Sequence, residues 1–432
     1  MGRVFFVCLT ACGLFAQTSV KWDSVLNHAT WLARQGKYAE AEKAYLAAIE
    51  EARGFPAEDM RLANAWNNLG ALYHQLGRYE EAERLYTQAL PAYERLRGMA
   101  RASYSAVLNN LAEVRRVRGD FSGAEKLYRE AIEVREKINP EDVELASPLN
   151  NLAVMLNQEG RPGEAEPLVR RALRLWEDTY GPKHRQVAAG LNTLGEALRL
   201  LGREEESEQC HRRAAELRRE ILRPDDPELA AGLSNLGSVL NRQGKYSEAA
   251  QLYREAIALR EKALGPNHPK LAFLLNNLGT TLQKMGKKKE AEDLYRRAMD
   301  IMEASGAAGN PEYAKVVENL GGLFLGAGKV KGAEALYTRA VAVRERALGP
   351  RSGALADCYE WMAGFYLRLG RLTEAERYLK RAIETHEAAF GPASGEVVRS
   401  LKLLGDLYTA EKRTAQAENV RRRVDSIEHS FR

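Results

Sequence analysis

The stretch Trp66-Asn67-Asn68-Leu69-Gly70-Ala71-Leu72-Tyr73-His74-Gln75-Leu76-Gly77-Arg78-Tyr79-Glu80-Glu81-Ala82-Glu83-Arg84-Leu85-Tyr86-Thr87-Gln88-Ala89 decides the fold. Apolar residues recur at helical spacing before Gly77 (Leu69, Leu72, Tyr73, Leu76) and again after it (Ala82, Leu85, Tyr86, Ala89), so two helices meet at a glycine. A glycine just past a helix end suits the left-handed backbone that closes a helix. Working outward, the same glycine recurs as Gly36, Gly119, Gly160, Gly202, Gly244, Gly286, Gly328 and Gly370, in steps of 41 or 42 residues. Small residues keep step with it. Seven residues before each glycine stand Ala29, Gly70, Ala112, Ala153, Gly195, Gly237, Gly279, Gly321 and Ala363, and twelve after stands an alanine without exception, from Ala48 to Ala382. A tenth unit follows with Gly405 and Ala417, but Lys412 takes the place of its turn glycine.

Small residues at fixed places let antiparallel helices approach closely, and the larger apolar residues fill the space between pairs. No stretch alternates with the period of a strand. The fold class is therefore all-α: a solenoid of about ten helix-turn-helix hairpins, with nearly every residue after the N-terminal segment accounted for.

Trp66-x2-Leu69-Gly70-x2-Tyr73, followed by Ala82-x3-Tyr86 and Ala89, resembles the tetratricopeptide repeat (TPR) pattern. The longer period, the loops Tyr180-Gly181-Pro182, Leu264-Gly265-Pro266, Leu348-Gly349-Pro350 and Phe390-Gly391-Pro392, and the pairs Asn67-Asn68, Asn109-Asn110, Asn150-Asn151 and Asn276-Asn277 are similar to the 42-residue repeats of kinesin light chains and their bacterial relatives. The resemblance implies a right-handed superhelix whose first helix in each hairpin lines a concave surface. No segment sustains coiled-coil heptads, so the motor-adaptor role of kinesin light chains does not carry over. Pro91, Pro148 and Pro167 fall inside expected helices, where proline tends to kink. The glycines between Gly306 and Pro311, with Gly326 and Gly328, mark a candidate joint.

The N-terminus reads as an export signal: Met1-Gly2-Arg3, an apolar run from Val4 to Phe15, then Ala16-Gln17. The domain reading is a signal peptide over 1–16 and a TPR solenoid over 17–432 with its last helix as a C-terminal cap, in a periplasmic or secreted protein. Leu9-Thr10-Ala11-Cys12 offers the alternative of a lipid anchor at Cys12. Cys8 and Cys12 lie in the signal, and Cys210 and Cys358 stand too far apart along a solenoid to pair, so both are read as free thiols. Lys plus Arg at 64 against Asp plus Glu at 59 is a mild excess spread along the chain, without the concentrated basic stripe that nucleic-acid binding leaves.

Nothing carries catalysis, so the chain is read as non-enzymatic, with no cofactor and no metal. His386-Glu387 opens a zincin-like motif, but its fifth position is Phe390, and the pair is read as a solvated helix end. Gly326-Ala327-Gly328-Lys329 lacks the first glycine and the Ser/Thr of a phosphate loop. His184 and His268 are read as loop caps, and Cys210-His211 as a core variation on the usual Leu-Tyr.

Binding is the function this pattern favours. Two residues before the small packing residue stand Asn68, Asn110, Asn151, Thr193, Asn235, Asn277 and Asn319, a ladder able to bond the main chain of an extended peptide. The same amides are equally able to bond neighbouring helices. Arg116, Arg199, Arg242 and Lys284 follow on that face, giving a mildly basic groove suited to peptides with acidic residues or a free carboxylate. The ladder ends at Trp361 and Leu403, and Trp361, Tyr359 and Phe365 form a candidate aromatic contact site. The expected partner is a protein or peptide; self-assembly through the end helices, or regulation of a partner enzyme, are the alternatives.

Overall fold

The computed structural model describes residues 22–55, 59–95, 101–223 and 226–430. Among these, every hairpin expected from the glycine spacing is present, and no strand occurs. The chain divides between Ile221 and Leu222 into two compact units of ten helices each. The first holds α1 (22–34), α2 (Tyr38–Ala52), α3 (Arg61–Gln75), α4 (Tyr79–Arg95), α5 (Arg101–Val117), α6 (Phe121–Glu136), α7 (Ala146–Gln158), α8 (Pro162–Tyr180), α9 (Arg185–Leu200) and α10 (Glu204–Ile221). The second holds α11 (Pro227–Arg242), α12 (Tyr246–Leu264), α13 (Leu271–Lys284), α14 (Lys288–Ala304), α15 (Pro311–Leu325), α16 (Val330–Leu348), α17 (Gly353–Arg368), α18 (Leu372–Phe390), α19 (Gly395–Ala410) and α20 (Thr414–Ser430). Odd-numbered helices are the first of each hairpin, helix A, and even-numbered ones the second, helix B.

The hairpin turn is closed as its glycine requires. The Gly77 N–H donates to the His74 carbonyl at 3.0 Å and the Arg78 N–H to the Tyr73 carbonyl at 2.8 Å, which satisfies carbonyls the helix end leaves open. All nine turn glycines have φ between 70° and 84°; Lys412 alone among the non-glycine residues described is forced into that region, at 58°.

The small residue on helix A exists to seat the ring of helix B sixteen residues on. A Cβ on Gly279 would lie 2.7 Å from Tyr295, and one on Gly321 only 2.5 Å from Tyr337, closer than any real contact. In four repeats the ring's hydroxyl then reaches through helix A to the next residue: Tyr45 donates to Thr30 at 3.1 Å, Tyr128 to Glu113 at 2.6 Å and Tyr295 to Thr280 at 3.2 Å, while Tyr253 and Ser238 lie 2.9 Å apart. At the fifth repeat His211 occupies the ring position, buried against Gly195, and Cys210 is a free thiol.

Neighbouring repeats are joined by a recurring trio. The arginine after the turn glycine pairs with a glutamate on the preceding helix B, while a tyrosine of helix A donates to the same glutamate and lies under the guanidinium. Tyr73, Arg78 and Glu42 form one such trio, Tyr366, Arg371 and Glu334 a second, and Tyr408, Arg413 and Glu376 a third. Hydrogen bonds from Arg161 hold the Glu125 carboxyl at about 2, and those from Arg413 hold Glu376 there too. The array ends on polar residues. Arg421 and Asp425 on α20 are exposed at positions where the earlier repeats bury Tyr295 and Met299, or Tyr337 and Val341.

One local expectation needs correction. Pro148 is the third residue of α7, in the first turn, where its missing N–H has no intrahelical partner to lose; Pro91 and Pro167 do lie inside α4 and α8. The stretch from Gly306 to Pro311 forms a left-handed glycine, a short 3-10 turn and an Asn310 cap on α15. The candidate signal and lipobox fall on residues 1–21, outside the described residues.

Candidate functional site

The helix-A face carries the asparagine ladder, because each asparagine sits on the side of helix A turned away from helix B and toward the next helix A. In the first unit each rung bonds to an asparagine beside a neighbouring rung or next to itself. The Asn110 amide donates to Asn67 Oδ1 at 3.1 Å and the Asn151 amide to Asn109 Oδ1 at 3.1 Å, while Asn68 accepts from Asn67 at 3.5 Å. Thr193 breaks the series: its hydroxyl turns back to the Ala189 carbonyl, and Asn150 Oδ1 is left buried without a donor. In the second unit Asn319 donates to Asn276 Oδ1 at 2.7 Å, whereas the side chains of Asn235 and Asn277 have no hydrogen-bond partner among the described residues. Three rungs of the ladder thus join helices, and two present free amides.

The arginines divide the same way. Arg116 is held by Glu113 at 2.5 Å and by Gln158 at 2.8 Å, and Arg199 by Glu196 at 2.5 Å. The acid one turn earlier on the same helix has already neutralised each guanidinium. The Glu113 carboxyl, which also accepts from Tyr128, is held below the usual carboxylate range by these bonds against the opposing effect of its burial. Arg242 is exposed at the end of α11. In the second unit the residue six before the turn glycine is Ser238, Thr280, Gly322 or Gly364, never an acid until Asp406 on α19. Lys284 and Arg368 accordingly lie on that face with no carboxylate in ion-pair contact among the described residues; Lys284 stands over the Tyr246 ring at 5.6 Å, and Arg368 Nε reaches only the Gly364 carbonyl, at 3.3 Å. Sequence reading named the arginines and Lys284 on this face and missed Arg368, whose signal was the absent acid one turn away.

The tetratricopeptide repeat pattern matches residues 23–95, 61–137, 103–166, 144–220, 186–262, 228–304 and 355–424, and a second tetratricopeptide pattern matches 316–352. The chain belongs to the tetratricopeptide repeat family. No curated protein matches it. Among solved structures it is similar to apo RapI, at 16% identity over 85% of this chain and 97% of that one with a TM-score of 0.60. A Rap protein complexed with competence and sporulation factor aligns at 16% identity over 90% of this chain and 99% of that one, TM-score 0.56. A putative kinesin light chain from Podosopora anserina aligns at 20% identity over 46% of this chain and 95% of that one, TM-score 0.41. At these identities the likeness is one of fold.

As a tetratricopeptide repeat protein the chain is a protein–protein interaction scaffold, and several other readings of its residues change with the structure. His386 is not a solvated helix end: it is 1% exposed, with Nδ1 3.0 Å from the Ser400 hydroxyl, because it takes a core position between α17, α18 and α19. Tyr359 and Phe365 are likewise buried, so of the aromatic trio only Trp361, 37% exposed, is available for contact. His184 caps the start of α9, accepting from the Gln186 N–H, and His268 accepts from the Lys270 N–H in the loop before α13. Cys210 replaces the leucine of other repeats and opens a hollow of about 410 Å³ between α8 and α10, floored by Leu191, Leu194 and Leu198. Burial pushes both described thiols up, which keeps them protonated. Among the described residues no group of His, Cys, Asp and Glu is placed to hold a metal, and no helix is long and apolar enough to cross a membrane.

Proposed function

We propose that this tetratricopeptide repeat protein is an exported, non-enzymatic scaffold that holds an extended, acidic segment of a protein partner on its helix-A face, chiefly in the second unit. The observation that carries this reading is a contrast along one face: Asn110, Asn151, Arg116 and Arg199 are engaged by neighbouring side chains in the first unit, whereas in the second the amides of Asn235 and Asn277 have no hydrogen-bond partner and the Arg368 guanidinium no acidic one among the described residues. Free amides supply both donor and acceptor groups to a peptide main chain, and the cations favour acidic side chains. The polar last helix argues against end-to-end stacking as the main role.

The test places a photo-reactive side chain at position 277 or at position 110 and cross-links in an envelope extract. A partner trapped at 277 and not at 110, and lost when Asn235 and Asn277 are both alanine, supports the reading. Equal trapping at both positions sinks the preference for the second unit. Export is tested separately, by the intact mass of the protein recovered outside the cytoplasm: cleavage after Ala16 leaves Gln17 first, and lipidation leaves Cys12 first.

A further inference from the structure

Tyr337 breaks the pattern its neighbours set. It is as buried as they are, at 2% exposure, yet the residue that should receive its hydroxyl is Gly322, and the hydroxyl has no hydrogen-bond partner among the described residues. A Cβ on Gly322 would lie 3.6 Å from that oxygen and within 4 Å of nothing else, so the hydroxyl points into vacant space on the helix-A face. The vacancy continues sideways, since a Cβ on Gly364 of α17 would also meet nothing within 4 Å. Trp361 stands edge-on to the Tyr337 ring at 4.2 Å between centroids and forms one wall. Arg368 and Glu318 act on the phenol electrostatically in opposite senses; Glu318 is paired with Arg344 at 2.6 Å, whereas Arg368 has no acidic partner among the described residues. Tyr86 also lacks a partner, but there the methyl group of Ala71 takes the place that Gly322 leaves open.

A phenol hydroxyl that opens onto the helix-A face with no protein acceptor, beside a guanidinium with no acidic partner, offers a ready donor to an anionic acceptor. We propose that the space at Gly322 is a carboxylate subsite, in which an acidic side chain of an extended peptide accepts the Tyr337 hydroxyl proton in a hydrogen bond and is neutralised by Arg368. The inference rests on the groove reading above and names the group this part of the groove selects. Burial pushes the phenol up from its ordinary value, so it stays a donor at neutral pH. Every other tyrosine with a partner on helix A is already spoken for, which confines the subsite to α15 and α17.

Two pools of capped nonapeptides, randomised except for a central Glu in one and a central Gln in the other, test the subsite on the immobilised full chain. The parent should retain the Glu pool about fivefold over the Gln pool, the size of one charge-assisted hydrogen bond. Tyr337→Phe removes the donor, and Gly322→Thr fills the space and receives the hydroxyl as Thr280 does for Tyr295; both should bring the ratio near one with thermal melting preserved. Neither variant changes the charge of the face, so general attraction of acidic peptides would survive in both and overturn the proposal. Equal retention of the two pools by the parent also overturns it, by showing that a main-chain or amide carbonyl serves as well. If that equal binding is lost in the Asn235→Ala, Asn277→Ala double variant, the groove stands and only the subsite falls; if the parent retains neither pool, both fall.

Discussion

The two units are built from one repeat, yet cations on their helix-A faces meet opposite fates. Arg116 and Arg199 in the first unit are prominent cations in the sequence and closed ion pairs in the structure, because Glu113 and Glu196 stand one turn before them. Lys284 and Arg368 in the second have no such acid, and Gly322 and Gly364 lie bare at the positions where Glu113 and Glu196 stand. The lesson is that a basic groove is not measured by counting cations. One position, six residues before the turn glycine, decides whether charge is spent inside the repeat or offered outside it.

Several experiments would break or sharpen that comparison. Acid should act with the largest effect and should not distinguish the units. Glu125 and Glu376 are held at about 2 when folded, well below an unpaired glutamate, so their contribution is complete above about pH 5 and is lost as pH falls toward 2. Melting followed from pH 7 to 2 should show this loss, and Glu376→Gln should melt lower at pH 7 but fall less steeply with acid. Next, Gly321→Ala drives a methyl group to 2.5 Å from Tyr337 and should destabilise the second unit by about 1–3 kcal/mol in denaturant unfolding.

Placing an acid at the deciding position should close the open face. Gly364→Glu sets a carboxylate four residues before Arg368 and should weaken acidic-peptide binding about tenfold, as the loss of one charge-assisted contact requires. Lys412→Gly relieves a left-handed lysine and should stabilise the last hairpin by about 1 kcal/mol, read as a small rise in melting temperature. The smallest effect is the reverse experiment in the first unit: Glu196→Gln should release Arg199 and raise binding of an acidic peptide there only about twofold, an exposed pair being weak. If Glu196→Gln matched the second unit, the vacancy at Gly322 would be irrelevant to the contrast.

How much of this the sequence discloses depends on the range of the interaction. The hairpins, their turns and the seat for each ring follow from Gly77 and Gly70 and their counterparts, because a helix terminus and a close approach are local demands on residue size. The state of the groove does not follow from Arg116 alone, since it depends on whether Glu113 turns toward the guanidinium, and Asn110 reads the same whether it meets a peptide or Asn67. His386 misleads for a related reason. Its neighbours in sequence are polar, and only the packing of α19 against α18 brings Ser400 over it. The free hydroxyl of Tyr337 is legible only after the fold shows which residue its siblings reach.

The charged residues of α20 also bear on how such a chain changes length over generations. Arg421 and Asp425 stand where the interior repeats place rings and aliphatic side chains. Tandem duplication of an interior hairpin inserts a segment whose two faces already match its new neighbours, so it is absorbed without repair. A hairpin appended after α20 meets ions instead of a seat. Duplication of an interior hairpin is therefore absorbed where one placed directly against the polar face of α20 is not.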